Sequence, residues 1–269
     1  MNKSELFTEL YKLYGPVTRA RGCFLYTKKG VRVTDLYQEN GRAILGWEGG
    51  SAFTMMKNTI SRGQTGSFIC EDKPSYRLQK AVSELFASDR TVFCFSSQKE
   101  AFEAGLLIFP DGVNLYNPWK VTNEKINISE LPCLILTPPL PWAESLYILA
   151  LDTKKLEANP DALLLIKGAK KLPYALEVAY TRSIHNLIKA LQEREEKDWF
   201  LYDSVLTKYW LREGPYLYPK VPEEKYHDFA LHCLDCGLLI NPQFNYASIV
   251  PYGADKGVFT KLKNSPFDY

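Results

Sequence analysis

The chain has 269 residues, with 33 basic and 31 acidic side chains and a net charge of +2. That length allows one large domain or two small ones, with roughly 75% of the unfolded chain's surface buried on folding. The charge balance excludes the basic footprint of a nucleic-acid or membrane-surface binder, no apolar run is long enough to span a bilayer, and the start, MNKSELFTELYKLYG, lacks a signal-peptide core.

Residues 3–14 predict an amphipathic helix, with Leu6, Leu10 and Leu13 at helical spacing and Gly15-Pro16 as its stop. CFLYTKKGVRVTDLY predicts two short strands around Lys28-Lys29-Gly30. Residues 51–60 read as a helix, followed by the glycine-containing stretch Arg62 to Phe68. Residues 74–87 read as a helix with Pro74 at its first turn and Leu78, Val82, Leu85 and Phe86 on one face. Val92 to Phe95 predicts a buried strand. Ser96-Ser97 then opens a helix, with Glu100 three residues after Ser97 in capping-box spacing. A helix start of this kind can serve as an anion site or as a plain cap.

Gly112 to Tyr116, Cys133 to Thr137 and Leu146 to Leu151 predict further strands, the last ended by Asp152. PDALLLIKGAKKLP, from Pro160 to Pro173, is a leucine-rich run bounded by prolines, and its shortness favours a strand over Ala162 to Ile166. Lys167 then stands at a strand end beside Gly168. It is either a lysine with its ammonium in water or one that forms a Schiff base with an aldehyde cofactor. From Tyr174 the pattern is helical and continues over 199–211. A helix over 222–236 ends at Gly237, and Leu238 to Pro242 and Ser248 to Pro251 are short strands.

The six cysteines stand at 23, 70, 94, 133, 233 and 236, mostly inside apolar runs, which points to a reducing, cytoplasmic setting. His227, His232, Cys233 and Cys236 fall within ten residues, a spacing that suits either zinc or ordinary helix packing.

Taken together, these motifs resemble the class III pyridoxal-phosphate aminotransferases, the group that includes glutamate-1-semialdehyde aminomutase. Asp35-Leu36, Asn40-Gly41 and Leu45-Gly46 follow the family's opening order, with Trp47 where the family has His. Pro160-Asp161, Lys167 and Pro173 stand where the family has its cofactor-lysine segment, its glycine-rich turn reduced to Gly168. The resemblance covers roughly residues 10–107 and 160–260. It implies an α/β protein of reduced fold-type-I architecture, with a mixed central sheet, flanking helices and a small α+β domain built from both termini. The implied division is 1–60, 61–195 and 196–269.

The same resemblance implies pyridoxal 5'-phosphate as cofactor, Lys167 as its Schiff-base lysine, and Ser97, Gln98 and Lys99 around its phosphate. Tyr116 would lie against the ring and Asp152 at the pyridinium nitrogen. It also implies a homodimer and a small amino-compound substrate. Four departures stand against ordinary catalysis, among them the reduced glycine turn and the absence of the family's Gly-Thr-Phe phosphate contact. Gln98 and Lys99 replace the Gly and Thr of the family's phosphate motif. The short connections Pro138 to Ser145 and Thr153 to Pro160 suggest lost crossovers, and antiparallel neighbours there would leave Lys167 about 20 Å from Asp152. Three functions therefore remain open: amino-group transfer through Lys167, a non-catalytic descendant that binds another molecule, or half of a heteromeric enzyme completed by another chain.

Overall fold

The computed structural model describes residues 2–66, 76–120, 127–158 and 160–269. In chain order the elements begin with α1 (Lys3–Tyr14), β1 (Val17–Arg21), β2 (Phe24–Thr27), β3 (Arg32–Asp35), α2 (Ser51–Ser61), α3 (Tyr76–Phe86), β4 (Arg90–Phe95) and α4 (Gln98–Ile108). Next come β5 (Val113–Tyr116), β6 (Cys133–Leu136), β7 (Tyr147–Asp152), α5 (Thr153–Glu157), α6 (Tyr174–Glu193), α7 (Glu196–Phe200) and α8 (Asp203–Tyr209). The chain ends with β8 (Trp210–Glu213), β9 (Tyr216–Pro219), α9 (Glu223–Asp235), β10 (Leu238–Leu239), β11 (Ser248–Ile249) and α10 (Thr260–Asn264). Residues 67–75, which include Ser67 and Phe68 of the glycine stretch, Cys70 and Pro74, lie outside the described residues. The chain divides into two compact units: a two-ended unit, Met1–Glu48 with Glu193–Tyr269, and a central unit, Gly49–Gln192.

The central unit is built on a four-stranded sheet ordered β4-β7-β6-β5. β7 is antiparallel to both its neighbours, and β5 and β6 are parallel. The carboxyl ends of β4, β5 and β6 therefore share one end of the sheet, and β7 finishes at the other. Ile148 to Leu151 are fully buried, as expected for a strand covered on both faces and paired on both edges. Side chains two apart share a face, so Cys133 and Ile135 of β6 join Leu149 and Leu151 of β7. Ala101 and Ala104 of α4 pack on that face with Phe95 and Leu156. Small residues let the helix come close: a Cβ on Gly105 would lie 3.0 Å from Cys133 Sγ, 3.0 Å from Val113 and 3.2 Å from Leu149.

The strand expected over Ala162 to Ile166 does not form. Pro160–Leu165 is a 3-10 helix instead, with Leu164 74% and Leu165 47% exposed. The reason lies outside the run. β4 and β6 fill both edges of β7, so the chain cannot turn back and pair with the strand it has just left. The chain turns into α5, and the segment beyond it touches the free side of β4, where the Lys170 N–H donates to Cys94 O at 2.7 Å. Ile166 alone of the run's end packs against the α4 cluster.

The two-ended unit holds two sheets, β1-β2-β3-β10 and β11-β9-β8. β2 and β3 form the expected hairpin, with Gly30 at φ 78° in its turn. β10 joins β3 in parallel, tying the C-terminal stretch to the N-terminal one. α1 starts with a capping box, Asn2 Oδ1 accepting from the Glu5 N–H at 2.9 Å and Glu5 Oε2 from the Asn2 N–H at 2.9 Å. Its Leu6 and Leu10 bury against Leu25, Val33, Leu234 and Leu239.

A left-handed turn follows β3. Gln38, Glu39, Asn40 and Gly41 have φ of 46°, 50°, 59° and 83° in succession. For the first three residues, which are not glycine, this conformation costs of order 1–2 kcal/mol each. Polar contacts hold it: the Gln38 N–H donates to Asp35 Oδ1 at 2.8 Å, Asn241 Nδ2 to Asn40 Oδ1 at 3.0 Å, and Arg42 Nη2 to Glu39 Oε1 at 3.0 Å.

Candidate functional site

The six residues that the sequence suggests for a cofactor site all belong to the central unit, and the fold does not gather them. Lys167 follows the 3-10 helix and is exposed. This runs against a buried ammonium at a strand tip, because the strand that would have carried it is absent. The strand that does end in a proline-rich turn is β6, and that turn, Pro138 to Ser145, contains no lysine.

Ser97 is the N-cap of α4, with extended φ −124° and ψ 134°, but its side chain makes no cap bond, so the capping box expected with Glu100 is not formed. Gln98 opens the helix and is half-buried. Lys99 is exposed and lies 3.8 Å from Glu103 Oε1 one turn along, a surface pair worth little.

Tyr116 ends β5 with its ring buried edge-on against Phe86 of α3, centroids 5.0 Å apart. Burial pushes its hydroxyl up to about 12. Asp152 stands at the far end of the sheet. In register Phe95 faces Tyr147 and Arg90 faces Asp152. Five strand steps, about 17 Å, thus separate the Asp152 end from the end where Ser97 and Tyr116 lie. There Asp152 caps α5, Oδ1 accepting from the Lys155 N–H at 2.9 Å. The residues that follow β4, β5 and β6, Ser96-Ser97, Asn117-Pro118 and Thr137-Pro138, include no carboxylate. These residues do not fit pyridoxal 5'-phosphate, because its lysine would be in solvent and its ring-nitrogen partner at the wrong end of the sheet.

Beside Asp152 the sheet holds Arg90, fully buried. Its guanidinium donates to the carbonyls of Leu131, Ile128 and Ser129 and to Ser88 Oγ, pinning the chain ahead of β6. That is a structural use of a buried cation, with four of its five N–H donors spent on neutral acceptors.

In the two-ended unit the His/Cys cluster resolves into packing contacts. Cys233 is fully buried in the apolar face of α9, His232 Nε2 lies 2.8 Å from Ser265 O, and His227 is exposed. Among the described residues no group of three His, Cys, Asp or Glu side chains could hold a metal ion.

A cavity of about 340 Å³ lies in the same unit, walled by α1, the first sheet and the start of the left-handed turn. Phe7, Tyr11, Tyr37 and Trp47 supply aromatic wall, and Leu10, Leu25 and Leu239 aliphatic wall. Asp35, fully buried, is its inner acid. Trp47 Nε1 donates to Asp35 Oδ2 at 2.7 Å, and burial pushes the carboxyl up to about 6. Sequence reading used Asp35 and Trp47 only as markers of motif order. The pocket was out of its reach because its walls run from Phe7 to Leu239.

No protein-family model matches the chain. An uncharacterised protein of Treponema pallidum is 26% identical over 287 residues, covering 90% of this chain and 91% of that protein. An uncharacterised protein of Borreliella burgdorferi is 26% identical over 261 residues, covering 93% and 90%. Among solved structures, ornithine aminotransferase from Plasmodium yoelii superposes with a TM-score of 0.65 over 98% of this chain and 97% of that chain, at 13% identity. The chain has an aminotransferase fold. Acetylornithine aminotransferase from Elizabethkingia anophelis gives a TM-score of 0.63 at 12% identity over 98% of both chains. An ornithine aminotransferase from Toxoplasma gondii, whose structure carries pyridoxal phosphate at partial occupancy, gives 0.67 at 10% identity over 93% of this chain and 88% of that one. Among the described residues no helix is long and apolar enough to cross a membrane.

Proposed function

We propose that this chain descends from the class III aminotransferases, with a shortened centre and a kinship to glutamate-1-semialdehyde aminomutase, and acts by binding rather than by lysine–aldehyde chemistry. The observation that carries this reading is the exposed Lys167, on a turn where its family counterpart ends a strand. An amine surrounded by water has no enclosing pocket to hold an aldehyde against it. Asp152 supports the same reading, since it caps α5 at the opposite end of β7 from Ser97. A homodimer and a cytoplasmic setting belong to this proposal, and the five free, buried thiols at 23, 94, 133, 233 and 236 agree with the latter.

The test is a titration with pyridoxal 5'-phosphate followed by absorbance, with amino transfer to a 2-oxo acid assayed in parallel. The expected outcome is no saturable aldimine band and no transfer, in wild type and in Lys167→Ala alike. A saturable band lost in Lys167→Ala, together with transfer, contradicts the proposal and restores the enzyme reading.

A further inference from the structure

The geometry points to a binding site for a small organic amine with an aromatic or aliphatic body in the cavity between α1 and the first sheet of the two-ended unit. The cavity falls in the size range of small-molecule pockets and matches their usual make-up, apolar walls with a few convergent polar groups. It opens on one side, where Tyr11 is 63% and Val17 39% exposed. The inner acid is Asp35, which among the described residues is paired with no lysine or arginine; its oxygens accept N–H bonds from Gln38 and Trp47, and the Tyr37 N–H also points to it. Each carboxylate oxygen can take a second donor.

The rim already holds an ammonium of the chain's own. Lys3 Nζ lies 5.7 Å from the ring centroids of both Phe7 and Tyr37 and 2.6 Å from Glu39 Oε1. Two aromatic faces and a carboxylate are the elements that recognise an organic cation. The Lys3 side chain is 48% exposed and stands at the start of α1, so it can withdraw to solvent. Glu39 stays oriented when it does, because Arg42 holds it at 3.0 Å. An amine from solution thus meets a body-sized apolar pocket, one buried acid and one rim acid whose cation can be displaced. A neutral ligand of the same shape gains the apolar contacts alone. The site uses no residue of the central unit, so its fate is independent of Lys167.

Calorimetric titration of the full chain with 2-phenylethylamine and with 2-phenylethanol tests this. The amine is expected to saturate and to bind about tenfold more tightly than the alcohol, the margin of one charge-assisted contact. Ala20→Trp, which projects a ring into the cavity from β1, should abolish binding of both while keeping the wild-type circular dichroism spectrum. Lys3→Ala, at an exposed position that leaves the fold intact, should tighten binding of the amine and leave that of the alcohol unchanged. Absence of saturation up to millimolar concentration overturns the assignment. Equal affinities for amine and alcohol in both wild type and Lys3→Ala overturn it as well, as does undiminished binding by folded Ala20→Trp.

Discussion

At the scale of single residues, Asp35 is a carboxyl held well above its ordinary range. Removal from water dominates; the N–H bonds from Gln38 and Trp47 pull the other way and only partly offset it. An acid whose folded value, about 6, exceeds its unfolded 3.8 favours the fold when protonated. Its contribution is therefore full below about pH 4 and is lost as pH rises through 6, a change worth about 3 kcal/mol. Asp35→Asn cannot titrate and lacks this slope. Urea unfolding between pH 4 and 7 should show the stability of wild type falling relative to Asp35→Asn by about that amount; a constant difference would contradict the buried, titrating carboxyl. Lys167 is the opposite case. Its neighbourhood on the chain resembles a cofactor segment, but its side chain is exposed just after a 3-10 helix.

At the scale of elements, α4 and β7 decide the central unit. Gly105 sits mid-helix, where glycine costs about 1 kcal/mol against alanine in an open helix. Gly105→Ala would recover that propensity, but the new methyl would press at once on β6, β5 and β7, through Cys133, Val113 and Leu149. Three core neighbours on three strands cannot all give way, so crowding wins, and the substitution should destabilise by about 1 kcal/mol net, read as a lower urea midpoint. A higher midpoint would mean that α4 is free to lift. The strand pattern also explains one misreading at this scale. The runs Val92–Phe95, Cys133–Thr137 and Leu146–Leu151 became strands, and Ala162–Ile166, just as apolar, did not. Local pattern is the same in all four. What differs is that Ala162–Ile166 cannot pair back onto β7, the strand just before it, whose two edges β4 and β6 already fill, and that information is not local.

At the scale of the whole molecule, the chain has the architecture of an aminotransferase, while Asp152 lies at the opposite end of the central sheet from Ser97. The order of motifs along the sequence was enough to read the α/β architecture and the unit made from both termini, because strand pairing such as β3 with β10 follows that order. The site was not legible to the same degree. Motif position says which residues the resemblance suggests for a cofactor, but not whether Asp152 ends its strand at the same end of the sheet as Ser97; sheet direction settles that, and it runs against them. The amine pocket left no motif of its own, being assembled from residues of α1, β1, β2, β3 and β10 and the turn after β3.

The most direct test of this account is borohydride trapping after incubation with pyridoxal 5'-phosphate, followed by peptide mapping of the modified lysines. The account predicts partial labelling spread over several exposed lysines, with a total that Lys167→Ala leaves essentially unchanged. One label per chain, confined to Lys167, would contradict it.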